Sequence, residues 1–248
     1  MKITATIITL NEEINIKAAI ESLTFADEIV VVDSGSTDRT VELARENTDQ
    51  VFVNSWPGYA AQKNFAADRA SNDWIFNLDA DERVSPELAR EIQSVKDGPD
   101  PSAQAFEMPR LCFYLGRWIK HSGWRPDYKT RLYDRRVASW KGDFVHESVN
   151  VQGRTGRLGG DLLHYTARSA SEHHLRMDRY TTLAAQEALS QGKTTSVLSI
   201  IFSPLTAFIR SYVFRLGFLD GAPGLAIAYF AAHYVFLKEI KIWESHNG

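Results

Sequence analysis

Apolar residues recur along the first third of this chain in short runs that alternate with polar, helix-spaced stretches. Residues 3–10 form a β-branched run without Gly or Pro, the pattern of a buried strand. Residues 12–23 place Ile16, Ala19, Ile20 and Leu23 at helical spacing. A second strand is expected over 28–33, a helix capped by Asp38 over 39–47, and a third strand over 50–54. A third helix over 60–70 and a strand through Trp74-Ile75-Phe76-Asn77-Leu78 complete the series. Strands alternating with helices predict an α/β fold whose mostly parallel sheet is covered on both faces. Beyond residue 105 the pattern loosens, and segments 105–109, 129–134, 144–151 and 162–165 read as strands of a mixed extension. Residues 169–191 form a strong helix opening with a capping box, Ser169 and Glu172, and ending before Gly192.

The ends of three of these strands carry the chemistry. The first runs into Thr9-Leu10-Asn11-Glu12-Glu13, the second into Asp33-Ser34-Gly35-Ser36-Thr37-Asp38, and the fourth into Asp79-Ala80-Asp81-Glu82-Arg83. Residues i and i+2 of a strand share a face, so Asp79 and Asp81 are expected to converge at the strand's carboxyl end, where open α/β sheets bind ligands. Two oxygen ligands at that point suit Mg²⁺ or Mn²⁺ held together with a substrate phosphate. Asp81 can equally N-cap the helix announced by Ser85-Pro86-Glu87-Leu88. The end of the second strand lacks the Gly-x-Gly-x-x-Gly fingerprint, which argues against a dinucleotide cofactor. The acid ending the second strand is suited to accept hydrogen bonds from a base or ribose.

Composition changes this picture little. At 248 residues, 44% apolar and 24% charged, the chain is an ordinary globular protein. Its net charge of −3 gives no global reason to expect nucleic acid. Cations are concentrated between Arg110 and Lys141, however, with Trp118, Trp124 and Trp140 interleaved, so this stretch is either a solvated basic face or a site for an anionic ligand or membrane surface. A single cysteine, Cys112 in an apolar setting, fits a reducing compartment and an inert buried thiol. Met1-Lys2-Ile3-Thr4 leads directly into the first strand without a signal peptide, so a cytosolic location is expected.

Taken together, Thr-Leu-Asn-Glu-Glu, Asp-Ser-Gly-Ser-Thr-Asp and Asp-Ala-Asp-Glu-Arg resemble the family 2 inverting glycosyltransferases with a Rossmann-like GT-A fold. Gly58-Tyr59-Ala60-Ala61-Gln62-Lys63-Asn64-Phe65-Ala66, Val145-His146-Glu147-Ser148, Leu163-His164-Tyr165 and Gly217-Phe218-Leu219-Asp220-Gly221 resemble the subgroup that adds glucose to the lipopolysaccharide inner core. The resemblance implies a nucleotide-activated donor, UDP-glucose foremost, and a divalent cation. Its lipid-linked acceptor would be heptose of the lipopolysaccharide inner core. By motif, Thr9, Asn11, Glu12 and Asp33 fall in the donor nucleotide site, with Lys63 near base or phosphate. Asp79 would contact the donor ribose or sugar and Asp81 the metal, whose stabilisation of a departing nucleoside diphosphate is worth several kcal/mol. Arg131, with Arg125 and Lys129, can hold the donor pyrophosphate or anionic groups of the acceptor.

Inversion also requires a general base for the acceptor hydroxyl. Many relatives place it in a Glu-Asp pair followed by Gln-x-x-Arg-Trp, and this chain has neither at that place. Glu147 is the leading substitute, with His146 as a further metal ligand or phosphate partner, Asp127 as the fallback base and His164 as a weaker site candidate. A GT-A domain over residues 1–167 and a helical region over 168–248 are expected. In the latter, apolar runs over 197–209 and 222–237, each short of the roughly 20 residues of a bilayer span, are bordered by aromatics and cations. They predict a peripheral pair of helices on the cytosolic face of a membrane, the alternative being helices packed on the core or in a dimer. Two other classes are disfavoured. A sugar-nucleotide transferase should carry a Gly-rich, Lys-containing phosphate loop near the N-terminus, and none is visible; a non-catalytic binding module should have lost the carboxylates, which are present.

Overall fold

A computed structural model of the protein describes residues 1–99, 101–142, 147–167 and 169–247. It divides into two compact units, residues 1–110 with 127–164 and residues 111–126 with 165–248.

The first unit opens with β1 (Ile3–Thr9), α1 (Ile16–Glu21), β2 (Glu28–Asp33), α2 (Thr40–Arg45), β3 (Val51–Val53), α3 (Tyr59–Asp68) and β4 (Trp74–Asp79). All seven residues of β1 are buried, as a strand covered on both faces requires. β1 pairs in parallel with β2 on one side and β4 on the other, and β3 adds in parallel to β2. The chain continues through β5 (Glu82–Val84), α4 (Pro86–Asp97) and β6 (Ala105–Tyr114). After β7 (Arg117–Ile119) come β8 (Tyr128–Asp134), β9 (Ala138–Lys141), β10 (Ser148–Val151), β11 (Thr155–Arg157) and β12 (Leu162–Ala167). The sheet order is β3-β2-β1-β4-β8-β6-β12-β5, antiparallel at β4–β8 and β6–β8, while β9 and β10 form a separate hairpin. This is the α/β GT-A-type architecture expected, a parallel half carrying a mixed extension.

Ile3, Ile7, Phe76, Leu78, Leu88 and Leu132 form the centre of the core, and full burial of each contributes about 1.5–3 kcal/mol. Where boundaries differ from the sequence pattern, local hydrogen bonds are responsible. α1 starts at Ile16 rather than residue 12 because Glu12–Asn15 form a turn, with the Asn15 amide donating to the Glu12 carbonyl at 2.9 Å. Among the described residues of the segment 144–151 the strand is β10, and residues 143–146 lie outside the described residues. α4 is capped by Ser85, whose Oγ accepts from the Leu88 amide at 3.2 Å, with Pro86 in the first turn. Asp81 is therefore not the cap.

The second unit contains β7, the ends of β6 and β12, and the helices α5 (Ala170–Ser190), α6 (Val197–Ile209) and α7 (Ala222–Asn247). Ser169 caps α5 by accepting from the Glu172 amide at 3.1 Å, as expected. α6 continues through a π turn at Arg210–Phe214, and α7 runs ten residues beyond the expected end at 237. Val197–Phe214 is, among the described residues, the one helical stretch long and apolar enough to cross a membrane. Between α6 and α7 the chain reverses in a tight corner. Buried Asp220 accepts there from the amides of Lys120 and His121 and faces His121 Nδ1 at 3.1 Å. A Cβ at Gly224 would lie 1.9 Å from the Gly217 carbonyl, so only glycine allows this approach.

Candidate active site

The carboxyl ends of the parallel strands hold the polar residues together, as the open-sheet rule anticipates. The first two ends form one hydrogen-bonded loop pair. Asn11, with φ of 55°, donates its amide to Ser36 Oγ at 2.8 Å and accepts from the Thr37 amide at 2.9 Å. The Glu12 amide donates to Thr40 Oγ1, and Asn15 donates to the Glu12 carboxylate, both at 2.7 Å. Asp33 Oδ2 accepts from the amides of Gly35 and Ser36 at 2.8 Å, while its Oδ1 accepts from the Ser36 hydroxyl. Three of the roughly four acceptor directions of that carboxylate are thereby used inside the protein. Asp33 and Asn11 thus shape the loop first; the buried Thr9 Oγ1 has no hydrogen-bond partner among the described residues.

The third strand end forms the charged centre. β4 brings Asn77 and Asp79, and antiparallel β8 brings Arg131 beside them. Arg131 is 3% exposed, yet its guanidinium reaches three acceptors: Asn77 Oδ1 at 3.1 Å, Asp79 Oδ2 at 2.7 Å and Glu82 Oε1 at 2.7 Å. Asn77 in turn donates to Thr6 Oγ1 at 3.2 Å, tying this group to β1. From α3, the buried Lys63 ammonium sits 3.1 Å from Asp79 Oδ1 and 3.3 Å from Glu147 Oε1. Trp140 of β9 covers it, with the ring centroid 4.2 Å from Nζ. Asn64, the next residue of α3, fixes that indole by pairing with the Trp140 backbone at 2.9 and 3.0 Å. Burial pushes the Asp79 carboxyl up, but the Arg131 and Lys63 cations more than reverse this and hold it far below the ordinary carboxylate range. Burial likewise disfavours the Arg131 charge, and Asp79 and Glu82 overcome it, raising its pKa.

Asp79 and Asp81 do not converge as strand neighbours. β4 ends at Asp79, Ala80–Asp81 form a turn, and the alternation rule stops there. Asp79 has one oxygen on Lys63 and the other on Arg131. Asp81 instead faces His164 of β12, with Oδ2 3.1 Å from Nε2. β12 runs antiparallel to β5 with His164 opposite Glu82, and this register sets the approach. His146 lies outside the described residues, and no cluster of three or more His, Cys, Asp or Glu suited to a metal occurs among the described ones. Asp81 and His164 still fit a divalent cation of the kind that takes one or two protein ligands and completes its shell with phosphate oxygens and water. Asp127, the alternative base, is paired with Arg110 at 2.7 Å and Lys129 at 3.0 Å, which also takes Lys129 away from the centre. Arg125 belongs to the second unit.

Sequence reasoning passed over Glu82, Asn77 and Asn64. Glu82 is fully buried and also accepts from the Asp79 amide at 3.1 Å, so it fixes the turn as well as Arg131. Its signal was its position directly after the two aspartates; nothing local marked Asn64.

Residues 4–148 match the family model of glycosyl transferase family 2. The chain belongs to that family. This glycosyltransferase is 34% identical to the lipopolysaccharide core biosynthesis glycosyltransferase LpsC of Rhizobium meliloti (strain 1021), over 99% of this chain and 93% of the relative. It is 32% identical to an uncharacterized glycosyltransferase of Rickettsia prowazekii (strain Madrid E), covering 97% and 86% of the two chains. Among solved structures, mannosyl-3-phosphoglycerate synthase from Rubrobacter xylanophilus superposes with a TM-score of 0.50 at 15% identity, over 79% of this chain and 77% of that one. That likeness concerns the fold alone. The matched family region contains Lys63, Asp79, Arg131 and Glu147, and His164 lies beyond it.

Proposed function

We propose that this glycosyltransferase moves a hexosyl unit, glucose from UDP-glucose, with inversion onto a lipid-linked glycan whose acceptor sugar is heptose of the lipopolysaccharide inner core. The full-length similarity to a protein named for lipopolysaccharide core biosynthesis supports the acceptor class. The observation that carries the chemistry is the bridge made by Lys63 between Asp79 and Glu147 at the sheet edge. It joins a carboxylate on the donor strand to one on the hairpin side and keeps both in one place. In the displacement, the acceptor hydroxyl oxygen bonds to the anomeric carbon as the sugar–phosphate bond breaks. Glu147 takes the hydroxyl proton, and the nucleoside diphosphate leaves with the electron pair. A positioned base of this kind is worth about 10²–10⁴ in rate.

Asp79, kept ionised by two cations, accepts hydroxyl hydrogen bonds from the donor ribose or sugar. The loop pair built by Asn11, Glu12 and Asp33 receives the nucleotide, with Thr9 at the end of β1 beside it. Asp81 with His164 would hold Mg²⁺ or Mn²⁺, which supplies charge stabilisation to the departing diphosphate. With both Asp79 oxygens held by Lys63 and Arg131, the carboxylate that would attract the cation is Asp81.

The test is a thermal-shift panel of UDP, GDP, ADP and dTDP with Mn²⁺ or a chelator, followed by turnover of UDP-glucose on heptose-terminated acceptor. Stabilisation by UDP that requires metal and disappears in Asp81→Asn, whose own melting temperature stays within a few degrees of wild type, is the expected result. A full metal-dependent UDP shift in Asp81→Asn refutes the metal assignment. Turnover with a polyprenyl phosphate but not with heptose refutes the acceptor.

A further inference from the structure

α6 wears its hydrophobicity on the wrong side for a helix of a water-soluble unit. Val197, Leu198, Ile201, Phe202, Leu205 and Ile209 are all between 37% and 67% exposed. At about 100° per residue these positions fall within an arc of about 140°. The half-buried Ser199, Ser203 and Ala207 fall on the opposite side with Ile200 beside them, half-buried Phe208 lies within the outer arc, and α6 packs on α7. Large apolar side chains outward and small ones between helices is the arrangement of helices in lipid, where water does not drive packing. α7 presents a single exposed line of Leu225, Tyr229, Phe236 and Trp243, three of them aromatics of the kind that settle at the lipid–water boundary.

Cations border this surface. Arg215 is exposed at the end of the π turn that continues α6, and Arg117 lies against the corner beside it. The Arg215 side chain lies over Gly123, while Arg117 donates to the Leu219 carbonyl at 3.2 Å. Between them, Phe214 is 78% exposed and Leu216, Phe218 and Leu219 are nearly half exposed. Apolar tips set among arginines match a boundary of acyl chains and anionic headgroups. A spanning helix would be apolar all round, and α6 is not, since Ser203, Thr206 and Arg210 occupy its other side.

From this we infer that the outer face of α6 with the following corner is a docking surface for an anionic phospholipid bilayer, entered to the depth of the headgroup–acyl boundary. The inference rests on exposure and charge within the second unit and is independent of the donor and acceptor proposed above. The experiment is sedimentation of the full chain with vesicles of phosphatidylcholine alone or mixed with phosphatidylglycerol, at low and high salt. Wild type is expected to pellet with the mixed vesicles and to be partly released by salt. The triple variant Ile201→Ser, Phe202→Ser, Leu205→Ser should lose binding by about a hundredfold or more, with its fold checked by circular dichroism. Arg215→Gln, a milder exposed change, should weaken binding to the mixed vesicles about fivefold and leave the weaker phosphatidylcholine binding unchanged. Wild type remaining in the supernatant, or the folded triple variant pelleting like wild type, overturns the inference. So does a wild-type dimer by light scattering that ignores vesicles and becomes monomeric in the triple variant, since a second copy then covers the face.

Discussion

Replacing Arg131 by Met tests whether the charged centre is held as one unit. Arg131 is 3% exposed and Glu82 has no exposure at all, and the two meet at 2.7 Å. Arg131→Met leaves Glu82 a buried carboxylate whose other cation, Arg110, is 3.8 Å away and makes its shorter contact to Asp127. Breaking a buried pair in this way costs about 3–5 kcal/mol. Asp79 adds little to that cost, because it retains Lys63 at 3.1 Å and 29% side-chain exposure. For a chain of this size the melting temperature should fall by about 6–20 °C. Urea unfolding at pH 7 provides the free energy. The double variant Glu82→Gln, Arg131→Met removes the stranded charge and leaves an amide oxygen for the Asp79 amide, so it should recover more than half of the loss. Acid titration adds a second readout. The Asp79 carboxyl is held below its unfolded value, so its ionised form stabilises the fold above about pH 4 and the contribution is lost as pH falls below that. Arg131→Met, lacking the larger of the two attractions, should lose stability less steeply through that range. A loss under about 1 kcal/mol at pH 7, or no recovery in the double variant, would show that Arg131 and Glu82 are not coupled as their geometry requires.

Two further outcomes follow from particular contacts. Glu147→Gln should lower kcat about 10²–10⁴-fold with a much smaller change in KM for the donor; a kcat within threefold of wild type assigns the base elsewhere. Ser85→Ala removes the cap that accepts from the Leu88 amide, and should cost about 1 kcal/mol in urea unfolding with turnover intact; an unchanged midpoint would mean the cap contributes nothing.

The strand-end motifs were legible because they are local. A buried β-branched run fixes a strand, a polar residue at its end closes it, and the parallel arrangement carries all such ends to one edge. That much placed Thr9, Asn11, Asp33 and Asp79 at a common margin before any coordinates. The inference from alternation failed two residues later, at Asp81, because the strand gives way to a turn pinned by the Glu82 carboxylate on the Asp79 amide. His164 was only a weak candidate because its partner lies 83 residues away.

What the sequence by itself determined is therefore the alternating α/β order, the helix cap at Ser169, the acid-rich strand ends and the apolar character of α6. These depend on neighbours within a few residues, where side-chain period and hydrogen-bonding capacity are written directly. Only the tertiary structure decided which charges meet. Lys63, Asp79, Arg131 and Glu147 come from a helix, two strands and the foot of a hairpin, and their pairing depends on sheet order and register. It also decided which face of α6 is left outside, because that face is defined by where α7 packs and not by the composition of α6. Coulombic energy scales inversely with separation and with the local dielectric, so the chemistry of such a centre is set by distances and burial that no local pattern contains.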